Sequence, residues 1–364
     1  MGKFLKWDIL SSSLISRIRC KQWLIREGMV FTKGKVAKQL VESVRKAGGI
    51  WTEQDLEEYQ VIEREPVKFS YKDKTIVSAS PPSSGGIALA TMMNILSGYK
   101  LESLDKATRT HLIVEAMRRA YRDRAEYLGD PDFINIPSRL THSIYADGLR
   151  ASIRKDRAMP SSQLPGRTDS SSGFHTTHFS ILDKDGNRVS ATLSVNYPFG
   201  SGYVAEGTGV LLNDEMDDFS AKPGVPNVYG LVGAKANAIK PGKRPLSSMS
   251  PTFVESKDGV AILGTPGGSR IITMVLLGIL ESENSNNPEN WVSLPRFHHQ
   301  YLPDHIEFEK GAFSDDETKV LEDMGHKLKQ VSEYGNMQAI FWDHKQNRVE
   351  AASDPRGVGA ASAK

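Results

Sequence analysis

The sequence contains a single cysteine in 364 residues, Cys20, so no disulfide bond can form within the chain. Thiolate zinc sites and catalysis by cysteine are also disfavoured, because one thiol without an evident partner supplies neither a ligand set nor an activated nucleophile. We interpret Cys20 as an incidental thiol.

Long apolar runs and an excess of one sign of charge are missing as well. No apolar stretch reaches the roughly 18 residues that a membrane-spanning helix needs. The 46 Lys and Arg residues nearly balance the 44 Asp and Glu residues, and the formal net charge is +2. This balance gives no reason to expect nucleic acid or another polyanion as a partner. The expected substrate is therefore small.

The first residues do not form a convincing export signal. A basic start is followed by an apolar stretch, but three consecutive serines interrupt it and no small-residue cleavage site follows. Residues 1–30 show little periodicity and match no motif, so we interpret them as a leader. These residues do not indicate where in the cell the protein works.

The periodicity of apolar residues predicts a layered α+β fold rather than a doubly wound sheet. Residues 151–173 are rich in Ser, Pro, Gly, Arg and Asp without an apolar period, and are predicted to be an exposed linker. Helices are predicted from residue 35 to 47, from 53 towards 59, from 87 onwards, around 112–121 and over 270–280. Strands are predicted on both sides of a turn within 67–78, and over 176–182, 189–195, 203–212 and 260–263.

Thr176 occupies the most informative position, at the start of a strand directly after the predicted linker. A hydroxyl is a weak nucleophile without a base, and no G-x-S-x-G motif surrounds a serine here. A Thr that becomes the first residue of a cleaved chain can use its own α-amine as the base, since the pKa of that group is about 7.7–8.0. The alternative is a purely structural role, in which two threonines begin the strand because of their β-propensity.

Long motifs follow one another through the second half of the chain: TTHFSILDKDGNRVSATLSVN, FGSGYVAEGTGVLLNDEMDDFSAKPGVPNVYGLVG, KRPLSSMSPTF, GTPGGSRIIT, PRFHHQYLPD and ASDPR. Together they cover nearly all of residues 176–357 and resemble the small subunit of γ-glutamyltransferases, also called glutathione hydrolases. Upstream, GGIWTEQDLEEY, PPSSGGI and RAEYLGDPDF resemble the later part of the large subunit of that family.

This resemblance implies the αββα sandwich of an N-terminal-nucleophile hydrolase and a precursor that cleaves itself between His175 and Thr176. The freed Thr176 would attack the γ-amide of glutathione and pass the γ-glutamyl group to water or to an amino-acid or peptide acceptor. The two cleavage products would remain together as a heterodimer. The chemistry requires no metal or organic cofactor, and the resemblance implies a periplasmic or extracellular location.

The resemblance also implies catalytic roles for three further residues. Ser194 matches a threonine whose hydroxyl bonds the nucleophile. The backbone N–H groups of Gly267 and Gly268 would form the oxyanion hole, which suits a loop between a strand and a helix because glycine lets the substrate approach closely.

Other positions are implied to bind the donor substrate. Asn196, Glu215 and Asp218 would hold its α-amino group, for which acidic side chains are suited by charge. Ser247 and Ser248 would hydrogen-bond its α-carboxylate. Tyr229 would belong to a lid loop over residues 221–233 that is typical of bacterial members.

The beginning of the large subunit has no counterpart, so the sandwich is expected to be incomplete on that side. Residues 31–175 match the later part of the large subunit with its linker, and residues 176–364 match the small subunit. In the family the missing part supplies an arginine that binds the α-carboxylate, and no residue of this sequence is assigned to that role. Two alternatives stay open: an inactive fragment of such an enzyme, and a related amide acylase that acts on another side chain.

Overall fold

The computed structural model describes residues 29–164, 176–220 and 235–363. Cys20, the predicted cleavage residue His175 and the predicted lid residue Tyr229 lie outside this part of the chain. The chain divides into two compact units. The smaller unit combines Met1–Arg64 with Tyr197–Asp214, and the larger combines Glu65–Asn196 with Glu215–Lys364.

Nine α-helices and thirteen strands occur in the described residues. The helices are α1 (Met29–Thr32), α2 (Gly34–Lys46), α3 (Glu53–Glu57), α4 (Gly85–Leu96), α5 (Lys106–Tyr127), α6 (Ser143–Ala151), α7 (Ile271–Glu281), α8 (Pro288–Ser293) and α9 (Asp315–Asp323). The strands are β1 (Val67–Tyr71), β2 (Lys74–Ser78), β3 (Thr176–Leu182), β4 (Arg188–Ser194), β5 (Val204–Ala205), β6 (Val210–Leu211), β7 (Thr252–Glu255), β8 (Gly259–Gly264), β9 (Phe297–His298), β10 (Ile306–Glu309), β11 (Leu328–Val331), β12 (Gln338–Asp343) and β13 (Arg348–Ser353). None of these helices is both long enough and apolar enough to cross a bilayer.

The smaller unit is organised around α2, whose apolar stripe follows the 3.6-residue period. Val36 and Leu40 are buried and pack against Ala205 of β5. A capping box begins α3: the Thr52 side chain accepts from the backbone of Asp55, and the Asp55 carboxylate accepts from the backbone of Thr52.

The larger unit contains a six-stranded antiparallel sheet in the order β1-β2-β7-β8-β12-β13. Helices α4 and α7 pack on the sheet, α5 packs on α4, and the hairpin β3–β4 contacts β8 and β12. All six residues of β8 are buried, with Ala261 and Leu263 in the same apolar cluster as the helices. Helices, sheet and hairpin therefore form successive layers, and the predicted layered α+β arrangement is confirmed.

One prediction about a segment was wrong, since residues 203–212 form the two short strands β5 and β6 rather than one strand. The predicted linker has no helix or strand over residues 152–160 and is mostly exposed there, as expected. Within it, Ser161 differs from the prediction because it is fully buried. The ion pair between Arg118 and Asp304 provides hydrogen-bond partners for the buried Ser161. The Ser161 N–H donates to Asp304 Oδ2 at 2.8 Å, and its hydroxyl accepts from Arg118.

Candidate active site

One pocket of the larger unit collects most of the predicted site residues. Its predicted lining residues are Thr176, Ser194, Asn196, Glu215, Asp218, Ser247, Ser248 and Gly268. They come from the hairpin β3–β4, from a short 3₁₀ turn over Glu215–Asp218, from the loop before β7 and from the loop after β8. Residues far apart in the sequence therefore meet at one site, although their individual roles remain predictions.

Thr176 and Ser194 are direct neighbours across the hairpin, because β3 begins and β4 ends at the same register position. The Thr176 hydroxyl donates a hydrogen bond to Ser194 Oγ at 3.2 Å. Ser194 Oγ also accepts from the backbone N–H of Asn196 at 2.8 Å. Asn196 has φ 70°, a left-handed conformation that asparagine tolerates better than most residues. This turn holds Ser194 in place beside the Thr176 hydroxyl.

His178 lies two residues after Thr176 and belongs to the packing of the hairpin. Its Nδ1 hydrogen-bonds Thr192 Oγ1 at 2.8 Å, and its Nε2 hydrogen-bonds Ser180 Oγ at 3.2 Å. Burial lowers the pKa of His178 to about 4, so the ring is neutral at physiological pH. A Cβ on Gly264 would collide with this ring, which packs against the end of β8. We therefore give His178 a structural role.

Glu215 and Asp218 bring two carboxylates into the pocket from one short turn. Burial and the neighbouring Glu215 carboxylate raise the pKa of Asp218 well above its usual range, and the Arg124 guanidinium only partly opposes this. Two acidic groups that close together do not both ionise readily. Asp218 therefore retains its proton to a higher pH than an ordinary carboxyl group does.

Ser247 and Ser248 are held by the loop Pro81-Pro82-Ser83-Ser84. The Ser247 carbonyl accepts from both the backbone N–H and the hydroxyl of Ser84, at 2.8 and 2.7 Å. The Ser247 N–H donates to the Pro82 carbonyl at 2.9 Å. These bonds leave both serine side chains in the wall of the pocket.

The glycine loop after β8 places its two glycines differently. Gly268, with φ 56°, lines the pocket, whereas Gly267 does not. Gly267 has φ 145°, and a Cβ there would meet only the flexible end of the Met274 side chain. Glycine is therefore favoured at 267 by its backbone conformation. Of the predicted oxyanion-hole pair, only Gly268 is brought to the pocket.

Arg124 on α5 also lines the pocket, and sequence reasoning assigned it no role. Its residue is 4% exposed. The signal was present in the periodicity: Met117, Ala120 and Tyr121 form the apolar side of α5, and Arg124 lies seven residues after Met117 on that same side. A charged residue within an apolar stripe of a buried helix is a candidate for function.

A cluster of His111, Glu115 and His326 elsewhere in the larger unit has the residue types of a metal site. Glu115 is already engaged by Arg118 and by Arg119, the latter at 2.6 Å, and both arginines are buried. A cation at this point would compete with two guanidinium groups for one carboxylate. We therefore give the cluster a structural role.

The arrangement of the layers is shared with known proteins. Cephalosporin acylase from Bacillus halodurans has a similar structure, with a TM-score of 0.81 and 25% identity, over 94% of this chain and 61% of that protein. The chain has the fold of an N-terminal-nucleophile hydrolase, in which helices cover a sheet. Its pocket also has a threonine at the start of a strand. The predicted fold class is thus confirmed.

The sequence places the chain within one family of that class. The family described as Gamma-glutamyltranspeptidase matches residues 17–364. The glutathione hydrolase proenzyme of Escherichia coli (strain K12) is 46% identical over 335 residues, which are 90% of this chain and 57% of that protein. The corresponding proenzyme of Pseudomonas sp. (strain A14) is 46% identical over 340 residues, 90% of this chain and 59% of that protein.

The chain belongs to the γ-glutamyltranspeptidase family, and the resemblance identified from its motifs is confirmed. It spans slightly less than three fifths of the length of these two relatives.

Proposed function

We propose that this protein cleaves itself before Thr176 and then acts as a γ-glutamyl hydrolase and transferase on glutathione and related γ-glutamyl compounds. The observation that carries the proposal is the hydrogen bond from the Thr176 hydroxyl to Ser194 at the edge of a pocket that contains Arg124, Glu215 and Asp218. Two relatives that are 46% identical to this chain carry the name glutathione hydrolase proenzyme, which supports the same chemistry.

Self-cleavage would begin with attack of the Thr176 hydroxyl on the carbonyl carbon of residue 175. The C–N bond breaks, the Thr176 nitrogen takes up the hydroxyl proton, and residue 175 becomes an ester on Thr176 Oγ1. Water then hydrolyses this ester, which leaves a carboxylate on residue 175 and a free α-amine on Thr176. That amine, with a pKa of about 7.7–8.0, is the base that the hydroxyl lacked before.

Turnover would repeat the same attack on a substrate. Thr176 Oγ1 bonds to the γ-carbonyl carbon of the donor, and the departing amine takes a proton from the α-ammonium of Thr176. Water, or the amine of an acceptor, then attacks the γ-glutamyl ester and releases Thr176. The backbone N–H of Gly268 is the group in the pocket that suits the oxyanion formed in each step, because it lies where a helix begins.

The pocket has groups for both charges on the α-carbon of a γ-glutamyl donor. Glu215 and Asp218 suit the α-ammonium, and the hydroxyls of Ser247 and Ser248 suit the α-carboxylate. A substrate with both charges next to each other would therefore satisfy both walls.

The direct test is the intact mass of the purified chain before and after incubation. Self-cleavage would yield pieces of 175 and 189 residues, the second beginning with Thr176, which stay together as a heterodimer. Release of glutamate from glutathione should follow. A soluble chain that stays uncleaved and releases no glutamate would instead support the inactive-fragment alternative.

The structural similarity to a cephalosporin acylase favours one further candidate, an amide acylase that does not need an α-amine on its donor. The 4-nitroanilides of γ-glutamate and of glutarate separate the two, because glutarate has the carboxylate but lacks the amine. We expect the γ-glutamyl compound to be hydrolysed with the higher kcat/KM, since the acidic pair binds its ammonium. Preference for the glutaryl compound would support the acylase instead.

The raised pKa of Asp218 predicts a pH dependence that requires the donor amine. An ammonium binds the ionised acidic pair best, so binding releases the shared proton. The KM for γ-glutamyl-4-nitroanilide should therefore fall as the pH rises towards the pKa of Asp218 and stay constant above it. Glu215→Gln removes the neighbouring charge, lowers the pKa of Asp218, and should move this fall to lower pH.

Glutaryl-4-nitroanilide is the matched control for this pH profile. Its KM should not fall in the same range, because it has no ammonium to favour the ionised pair. Parallel profiles for both donors would show that Asp218 does not bind the amine.

A further inference from the structure

Arg124 forms no ion pair with a carboxylate among the described residues. Five arginines of the larger unit are buried there, and Arg124 is the exception among them. The other four each bind a carboxylate: Arg118 and Arg119 bind Glu115, Arg270 binds Glu307, and Arg296 binds Asp354. In the described part of the chain no acidic oxygen lies within 4.0 Å of Arg124, although Asp218 is close enough to attract its charge.

Neutral hydroxyls hold Arg124 instead. Its Nε donates to Ser84 Oγ at 2.8 Å, and its Nη2 donates to Ser248 Oγ at 3.0 Å. Both serines belong to the two loops that are bonded to each other at this side of the pocket. The guanidinium is thus fixed in direction and lines the same pocket as Thr176, but its charge is not neutralised by these bonds.

The acids across the pocket do not neutralise it either. Burial and the Glu215 carboxylate raise the pKa of Asp218, so this carboxyl opposes the charge of the guanidinium less than an ordinary aspartate would. Burial also lowers the pKa of Arg124, which is the mark of an unfavourable position for a charge. A buried charge that lines a pocket without an ion-pair partner is a candidate for binding a ligand of opposite charge.

We propose that Arg124 binds the carboxylate of the substrate in this pocket, together with the hydroxyl of Ser248. The proposal rests on the proposed function and gives it the cation for which the sequence offered no residue. The planar guanidinium offers several N–H donors, so bonds to Ser84 and Ser248 leave capacity for a carboxylate. With the α-carboxylate of the substrate bound to Arg124, its α-ammonium can bind Glu215 and Asp218, which line the same pocket.

The test compares two ligands that differ only in this carboxylate. L-Glutamate carries it and 4-aminobutyrate does not, and both can be titrated calorimetrically into the unmodified chain and into Arg124→Gln. We expect Arg124→Gln to weaken L-glutamate binding about 10- to 100-fold, as for loss of a charge-assisted bond. Binding of 4-aminobutyrate should change less than about twofold, because it makes no bond to the missing charge.

Arg124→Lys and Arg122→Gln serve as further variants. Arg124→Lys keeps a buried charge but loses the planar pair of donors, so its affinity for L-glutamate should fall between the other two. Arg122 lies on the same helix but does not line the pocket, and Arg122→Gln should bind L-glutamate as the unmodified chain does. The thermal unfolding of each variant is compared with that of the unmodified chain, to show whether a variant that binds L-glutamate weakly is still folded.

Equal weakening of both ligands in a folded Arg124 variant, or no weakening of either, would overturn the inference. Absence of L-glutamate binding to the unmodified chain would overturn it too. Because these titrations need no turnover, a chain that binds L-glutamate through Arg124 yet never cleaves itself would contradict the proposed function alone.

Discussion

Thr176→Ala should leave the protein as one uncleaved chain of 364 residues and abolish release of glutamate from glutathione. Alanine has no hydroxyl to attack the preceding carbonyl or the donor, and no other hydroxyl of the pocket can also supply a new α-amine. Removal of a catalytic nucleophile costs a factor on the order of 10⁶ in comparable enzymes, so the residual rate should be indistinguishable from background. Intact mass and a glutamate assay are the two measurements.

Thr177→Ala is the matched control, because Thr177 is the next residue of β3 and is exposed. It should be cleaved and remain active at a rate within about twofold of the unmodified chain, because the Thr177 side chain is exposed and does not line the pocket. Cleavage between residues 175 and 176 in the Thr176→Ala chain would refute the assignment of the nucleophile. Thr176→Ser retains the hydroxyl and should retain part of both activities.

Asp354→Ala should cause a large loss of stability in the larger unit. Asp354 has a fully buried side chain that binds Arg296, accepts from the Met337 N–H at 2.9 Å and binds Arg356 at 3.1 Å. Its removal leaves the buried Arg296 guanidinium without its carboxylate. Breaking one partner of such a pair costs about 3–5 kcal/mol, measured here as the free energy of unfolding in urea.

Asp323→Ala is a suitable comparison, since Asp323 is an exposed aspartate at the end of α9. Its free energy of unfolding should stay within about 0.5 kcal/mol of that of the unmodified chain. An effect of Asp354→Ala as small as this would mean that Arg296 finds another partner or water when the carboxylate is lost. Asp354 belongs to the ASDPR motif, so this motif stabilises the fold and does not act through the pocket.

Local elements were predictable because their causes are local. The stripe of Val36, Leu40 and Val44 specifies α2 by spacing alone, and the side chains of Thr52 and Asp55 suffice to start α3. The turn at Asp183 is also local, since its carboxylate accepts from the N–H groups two and four residues later. Such features depend on a few neighbouring residues and hardly on the rest of the fold.

The site was predictable only through the family resemblance. No spacing argument brings Ser248 to the pocket of Thr176, because long connections and several strands separate them. Arg124 was missed because its role depends on which side chains surround it, although its place on the apolar side of α5 was visible. Ser161 was missed for the opposite reason: a polar composition indicates exposure unless a buried ion pair, here Arg118 with Asp304, provides partners.

The six-stranded sheet has a consequence for the molecularity of folding. Strands β1 and β2 precede residue 175, whereas β7, β8, β12 and β13 follow it, and β2 is hydrogen-bonded to β7. Before a cut at Thr176 this pairing is a contact within one chain, and unfolding is independent of protein concentration. After the cut it joins two chains, so refolding becomes a bimolecular reaction that dilution disfavours. The backbone break that would free the nucleophile would thereby also make the loss of structure harder to reverse.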